Sequence, residues 1–576
     1  MRLVEALKIL NQAAPAGTDE LRVSLACGFM PLHLQTFLSA RLRQGTGRPV
    51  KLTTGLYGDF LGNLERLTKS PADAIAIVME WSDLDSRLGL RSLNGWRLPD
   101  FADLIGHVRA KAARIQELLK ASPGGTPLIL QLPTLPLPPL EAVFPTWRAG
   151  NLELQLHELL SSFALEASAH PAVKLTSSAW LDRNSPPAAR FDVQSELLSG
   201  FPYSVTHADA LGEALANLIH PRPPKKGLIT DLDDTVWKGI LGEIGSAGVS
   251  WDIDQKSHMH AMYQECLRSL AETGVLLAVA SKNEPDAVEE AFGRQDLLLT
   301  KDRIFPLEAH WGPKSGSVGR ILETWNIGAD SVVFVDDSPA ELAEVKSVHP
   351  EVECILFPKN PQDVYQLLAQ LRDRFAKSVV TEEDRLRLDS IRGNRAIQEQ
   401  ARGFGGNPDS FLEQAESVLT FNFDKASPDP RVLELLNKTN QFNLNGKRYT
   451  EAGLSSQLQN PCTFLMKASY TDKFAPLGKI AILIGRMEGT RLHVDGWVMS
   501  CRAFSRRIEH AFLHKLFERF AVQEIEFDYL PTAKNAPLQE FFRGLLEAPL
   551  DGPLTLTRER FQQTCPRLFH RVEDEF

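Results

Sequence analysis

Apolar residues fall along the chain in short runs separated by amphipathic or polar stretches, the alternation of a layered α/β protein. Leu21 to Ala26 (LRVSLA), Ala74 to Met79 (AIAIVM) and Leu128 to Leu132 (LILQL) read as buried strands, and Phe101 to Lys120 as a helix between the last two. Pro133 to Pro139 (PTLPLPP) interrupts regular hydrogen bonding and is expected to open a long surface loop. Beyond the proline-rich junction Pro221 to Lys226, strand-like runs recur at Gly227 to Thr230, Val275 to Ala280, Val332 to Val335 and Cys354 to Phe357, the rhythm of a parallel sheet. Residues 376–410 are rich in Arg, Glu, Asp and Gln and end in a glycine-rich stretch, predicting a charged helix and a flexible joint. The last region opens with Arg431 to Asn440, carries strands at Ile480 to Ile484 and His493 to Met499, and predicts a helix over Ser505 to Phe520. The pattern divides the chain into three α/β domains, 1–220, 221–375 and 411–576, with a linker over 376–410.

Composition narrows the function classes. Asp and Glu total 73 against 63 Lys and Arg, a formal charge of -10, so a broadly basic nucleic-acid surface is not expected. The six cysteines, at 27, 266, 354, 462, 501 and 565, contain no C-x-x-C pair, which excludes a zinc knuckle or a disulfide framework and suits a reducing cytoplasm. No run approaches the roughly 18 apolar residues of a membrane span, and the N-terminal stretch lacks the pattern of a signal peptide.

The chemistry concentrates in the second domain. In Ile229-Thr230-Asp231-Leu232-Asp233-Asp234-Thr235-Val236-Trp237-Lys238-Gly239 a strand runs directly into two carboxylates at spacing two. Both can face one crevice at the carboxyl edge of a parallel sheet, where ligands of open α/β folds bind. One Asp suits attack on phosphorus and the other proton transfer, with Mg²⁺ neutralising charge. Ser281, Lys282 and Asn283 follow a strand and offer donors to a phosphoryl group; Lys314, in Trp311-Gly312-Pro313-Lys314-Ser315, offers a balancing cation. Asp336 and Asp337 form a second acidic strand end suited to a hard metal.

The set DLDDT, SKN, WGPK and VVFVDD resembles the four motifs of the haloacid dehalogenase superfamily, more narrowly its FkbH-like, subfamily IIIC branch. The resemblance implies Asp231 as nucleophile, Asp233 as general acid/base, Lys314 as charge-balancing lysine, Thr235 and Ser281 as phosphate contacts, and Asp336 as a metal ligand assisted by Asp337. Asp231 and Asp233 enter the implied Mg²⁺ site as well, and Asn283 stands with the phosphate-binding group. Asp231 and Ser281 are 50 residues apart and Ser281 and Lys314 are 33 apart, which leaves little chain for a cap domain. An open, capless, Rossmann-like parallel sheet is expected, able to admit a group carried on another protein.

The flanking domains resemble those of long FkbH-like proteins. The first is similar to the SGNH hydrolase fold, but Gly58-Asp59-Phe60 lacks the serine of that family's block and Ser204-Val205-Thr206-His207 lacks its terminal acid, so a noncatalytic packing or docking domain is expected. The last is similar to GNAT acyltransferases through Asn437 to Thr450 (NKTNQFNLNGKRYT) and Ser500 to Arg506 (SCRAFSR), with Ser505 and Arg507 replacing small residues of the phosphate-binding turn. Asn440, Gln441, Asn443, Cys501 and Arg502 are its candidate acyl or carrier site, Cys501 standing between a thiol relay and a structural cysteine. Arg506 and Arg507 join Arg502 as candidate phosphopantetheine contacts, against a solvated face or internal ion pairs. The resemblance implies an enzyme that dephosphorylates 1,3-bisphosphoglycerate and loads its glyceryl group onto the phosphopantetheine thiol of an acyl carrier protein, for polyketide extender units. The alternatives are a stand-alone phosphatase of a small phosphorylated metabolite and a noncatalytic carrier-binding scaffold.

Overall fold

In the computed structural model, Leu21–Ala26 (β1), Val50–Thr54 (β2), Ala74–Val78 (β3), Leu128–Gln131 (β4) and Val173–Leu175 (β5) pair in parallel as a sheet of order β2-β1-β3-β4-β5. The structure describes residues 1–12, 18–92, 101–122, 125–138, 151–377, 379–393, 395, 408–425, 429–473, 476–489, 491–500, 503–504, 506–532, 534–546, 550 and 552–575. They fall into two units, Met1–Arg222 and Pro223–Phe576.

In the first unit β3 and β4 are wholly buried, as their unbroken apolar runs require, whereas β2 at the sheet edge is half-exposed and was not legible as a run. The carboxyl edge of this sheet is filled by a polar network. Glu80, just beyond β3, accepts from Tyr203 Oη (2.7 Å), Thr134 Oγ1 (2.7 Å), Thr134 N (3.1 Å) and Leu135 N (3.2 Å). Thr134 Oγ1 also meets His207 Nε2 at 3.0 Å, and His207 Nδ1 meets Ser185 Oγ at 2.9 Å. The proline-rich stretch therefore does not begin on the surface: Thr134 is buried because Glu80 needs its donors, and Leu135 O accepts from Trp81 Nε1 at 2.9 Å. Asp59 caps the helix Phe60–Thr68, its Oδ1 accepting from Gly62 N at 3.0 Å.

Burial pushes Glu80 and Asp83 up to about 7 and holds His207 down to about 3. The two raised carboxyls contribute stability that is full below about pH 4 and lost as pH rises through about 7, whereas the His207 contribution is full above pH 6.5 and lost as pH falls through about 3. Two carboxyls outweigh one imidazole, so between pH 5.5 and 7.5 the opening free energy of the β3 amides, read by hydrogen exchange in the full chain, is expected to fall by on the order of 1 kcal/mol. Glu80→Gln should flatten that slope; an unchanged slope would contradict the assignment.

The second unit carries two sheets. Gly227–Thr230 (β6), Leu276–Ser281 (β7), Ile304–Ala309 (β8), Val332–Asp336 (β9) and Glu353–Leu356 (β10) form an all-parallel sheet of order β10-β9-β6-β7-β8, with β6 at its centre between β9 and β7. β6, β7 and β9 are buried along their whole length. The edge strand β8, half-exposed and carrying Pro306, escaped the hydrophobic pattern for both reasons. The charged segment after this sheet is held against it: Lys377 Nζ donates to Thr273 O at 2.8 Å and pairs with Asp384 at 3.0 Å, and Arg387 donates to Gly274 O at 2.9 Å. Gly274, with φ of +79°, turns the chain into β7 where Asp384 leaves no room for a Cβ.

The other sheet is mixed, of order β16-β15-β14-β13-β12-β11-β17, from Val418–Asn422 (β11), Thr463–Thr471 (β12), Pro476–Glu488 (β13), Arg491–Met499 (β14), Glu524–Phe527 (β15), Leu554–Thr557 (β16) and Arg571–Glu575 (β17). The helix Ile508–Phe520 connects the parallel pair β14 and β15, burying Ile508, Phe512 and Leu516. Among the described residues no helix is long and apolar enough to cross a membrane.

Candidate active site

The three central strands end in the motif residues. β6 delivers Asp231, β9 ends on Asp336 with Asp337 next, and β7 ends on Ser281. Side-chain oxygens of Asp231, Asp336 and Asp337 lie within 4.8 Å of one another, the first two buried and the third half-buried. Lys314 is the first residue of the helix Lys314–Trp325. Its Nζ enters between two of the carboxylates, 2.9 Å from Asp231 Oδ1 and 2.6 Å from Asp336 Oδ2. Asp336 Oδ1 accepts from Ser338 N at 2.8 Å, so the strand-end turn fixes its orientation.

Burial raises the Asp231 carboxyl most and the adjacent Asp336 raises it further, against the pull of Lys314, leaving it at about 7. Asp337 is also raised, by burial and then by Asp336 and Asp234. Burial alone would lower Lys314, but the two carboxylates outweigh it and hold the ammonium charged. This oxygen-only donor set fits a hard divalent cation such as Mg²⁺, which would favour the ionised carboxylates.

Asp233, two residues beyond Asp231, is placed differently. Its side chain is not among the three converging carboxylates; it accepts from Trp237 Nε1, Leu241 N and Asn283 Nδ2. Asn283 also donates to Ser281 Oγ at 3.1 Å. Thr235 is fully buried with an unpartnered Oγ1, and its carbonyl meets His260 Nδ1 at 2.9 Å. Lys282 reaches Glu341 at 2.7 Å, joining the loop after β7 to the helix Pro339–Val348 after β9 across the end of β6. Sequence reasoning named Lys282 as a donor but not Glu341, its partner 59 residues on.

A crystal structure of the N-terminal part of the protein BF1531 from Bacteroides fragilis, containing a phosphatase domain complexed with Mg, matches at a TM-score of 0.54 and 21% identity, covering 66% of this chain and all of that one. This chain shares that fold. Within it, the parallel sheet over β6 to β10 carries the converging carboxylates at its strand ends. A slighter likeness, to an aminoglycoside acetyltransferase in complex with coenzyme A, has a TM-score of 0.19 at 17% identity over 25% of this chain and 98% of that one, and bears no weight. No family model and no curated protein matches the sequence.

The candidate acyl or carrier residues sit on the seven-stranded sheet. β14 pairs with β15 only through Leu492, His493 and Val494, and beyond that point the two strands are separated by Phe442 to Asn445. Leu444 N donates to Trp497 O at 2.9 Å, Met499 N to Phe442 O at 3.0 Å and Leu530 N to Leu444 O at 3.1 Å, so this segment is hydrogen-bonded on both sides. Asn443 is buried and serves the turn, its Oδ1 accepting from Gly446 N at 2.8 Å and its Nδ2 donating to Thr439 O at 3.0 Å. Asn440 is exposed and accepts from Arg448, and Gln441 Oε1 is buried without a partner. Arg506 is buried against Asp472 at 3.4 Å, and Arg507 pairs with Asp409 at 2.5 Å. Cys501, Arg502 and Ser505 lie outside the described residues.

Proposed function

We propose that this protein is a Mg²⁺-dependent phosphatase of a small phosphorylated metabolite, working through an aspartyl-phosphate. The observation that carries the reading is the convergence of Asp231, Asp336 and Asp337 around Lys314 at the carboxyl edge of the parallel sheet. An Asp231 oxygen attacks phosphorus while Asp233 gives a proton to the departing oxygen. Water then attacks the phosphoryl-aspartate and Asp233 takes its proton, which restores the Asp231 carboxylate and the protonated Asp233. Lys314 offsets the charge on Asp231 throughout, and Ser281 stands at the strand end that faces the phosphoryl oxygens. When bound, Mg²⁺ supplies charge neutralisation for those oxygens; Asp231, Asp336 and Asp337 would hold it, as the Mg complex of the Bacteroides fragilis phosphatase domain supports.

Phosphate release should therefore require Mg²⁺. Asp337→Asn keeps the shape of the site and removes one ligand charge, so it should raise the Mg²⁺ concentration for half-maximal activity by about 10-fold or more. Phosphate release that persists in excess chelator would overturn the reading.

A second reading is favoured by one observation. The chain between β6 and β7 holds only the helices Leu241–Gly248 and His258–Glu272, without a cap domain, which suits a substrate presented on another protein. In that reading the substrate is an acyl phosphate such as 1,3-bisphosphoglycerate: the phosphopantetheine sulfur of an acyl carrier protein bonds to the acyl carbon as inorganic phosphate leaves, and hydrolysis of the remaining phosphate ester leaves the glyceryl group on the thiol. Intact-mass analysis of a loaded carrier after incubation with the donor and Mg²⁺ tests it: a glyceryl adduct supports transfer, and phosphate release without an adduct leaves the phosphatase alone.

A further inference from the structure

The carboxylate of Asp233 is held by three donors, two of them within eight residues of it and the third 50 residues on. Trp237 Nε1 donates to Oδ1 at 2.9 Å and Leu241 N donates to the same oxygen at 3.2 Å, while Asn283 Nδ2 donates to Oδ2 at 3.0 Å. Trp237 is fully buried, and its ring packs edge-on against Phe292 at 5.9 Å, so the indole cannot swing away without opening the core. Asn283 is 2% exposed and is anchored in turn by Ser281 Oγ at the end of β7.

A carboxylate offers about four acceptor positions, two on each oxygen. In Asp233 both positions on Oδ1 are taken and one on Oδ2 is taken, which leaves a single open position. We propose that Trp237 and Asn283 are positioning residues that lock the plane of Asp233, so that the open position on Oδ2 is the one that carries the transferred proton. The inference rests on the phosphatase reading and assigns to one atom the proton steps described there. In the first step the bond from an Asp231 oxygen to phosphorus forms, the bond from phosphorus to the leaving oxygen breaks, and the Oδ2 proton passes to that oxygen. In the second, the water oxygen bonds to phosphorus, the Asp231 oxygen leaves with its electron pair, and Oδ2 accepts the water proton. A clamped carboxylate meets both steps without reorganising, whereas a freely rotating one turns Oδ2 away for part of the time.

The dependence on the leaving group separates this role from a merely structural one. An alkyl phosphate ester leaves as a strongly basic alkoxide and needs the proton from Oδ2; 4-nitrophenyl phosphate leaves as a stable phenolate and does not. Trp237→Phe should lower kcat/KM about 100-fold for a small alkyl phosphate but only about 3-fold for 4-nitrophenyl phosphate, kcat/KM reporting the steps through the first phosphoryl transfer. Asn283→Ala, which leaves the indole packing intact, should show the same split and serves if the Trp237 variant does not fold. In an Asp233→Asn background neither change should cost more. An equal loss for both esters, or no loss, would overturn the positioning role while leaving the phosphatase reading standing. If the unaltered protein with Mg²⁺ releases phosphate from neither ester, the phosphatase reading fails and takes this inference with it.

Discussion

Asp231→Asn should abolish phosphate release, by about 10⁴-fold or more, without unfolding the protein. The amide matches the carboxylate in shape, so the fully buried end of β6 and its pairing to β7 and β9 are undisturbed. It cannot serve as the nucleophile, because an amide oxygen carries no negative charge to deliver to phosphorus. Burial and Asp336 already press against ionisation of Asp231, so removing that charge relieves repulsion inside the cluster. The variant should therefore melt at the same temperature as the unaltered protein or higher when both are held in chelator. Retained turnover, measured as released phosphate, would remove Asp231 from the chemistry; loss of turnover with a large fall in melting temperature would show that the residue matters to folding instead.

Lys314→Ala should be costly in both respects. The ammonium lies between Asp231 and Asp336, with 5% of its side chain exposed, so its loss strands buried carboxylates that no solvent can screen. Removing one partner from such an arrangement destabilises by about 3–5 kcal/mol, and activity should fall by about 10²-fold or more because the charge on the nucleophile is no longer offset. The remaining carboxylates then need another cation, so the rise in melting temperature on adding Mg²⁺ should be larger in this variant than in the unaltered protein. Lys314→Arg should not restore activity, since a planar guanidinium is wider than the slot an ammonium fills between two oxygens. A Lys314→Ala protein as stable in chelator as the original would contradict the buried arrangement.

Much of this was legible in the sequence because the site is built on strand ends. An apolar run stopping at a carboxylate states both that the strand is buried and that its last side chain meets polar surroundings, and β6 and β9 each end this way. Lys314 was legible as a cation in its motif, but its place as the first residue of a helix came from the structure. What pattern could not supply are partnerships across the fold: Trp237 and Asn283 meet on Asp233 although 46 residues separate them, and Glu341 finds Lys282 across three strands. The half-exposed edge strands β2 and β8 were also missed, whereas β10, an edge strand no better buried, was legible because it keeps a short apolar run. The segment Asn440 to Asn443 illustrates a different limit. Asn443 is polar for the sake of a turn, its amide oxygen and amide nitrogen both bonded to backbone, and Phe442 beside it belongs to the core.

The claim that Asp231 becomes covalently phosphorylated can be tested directly. The full-length protein is mixed with Mg²⁺ and acetyl phosphate, quenched in acid during turnover, and its phosphoryl group located by peptide mass mapping. That group is expected on Asp231, and absent from samples made in chelator and from Asp231→Asn. Phosphate released at full rate with Asp231 unmodified throughout, or a phosphoryl group mapped to another residue, would contradict it.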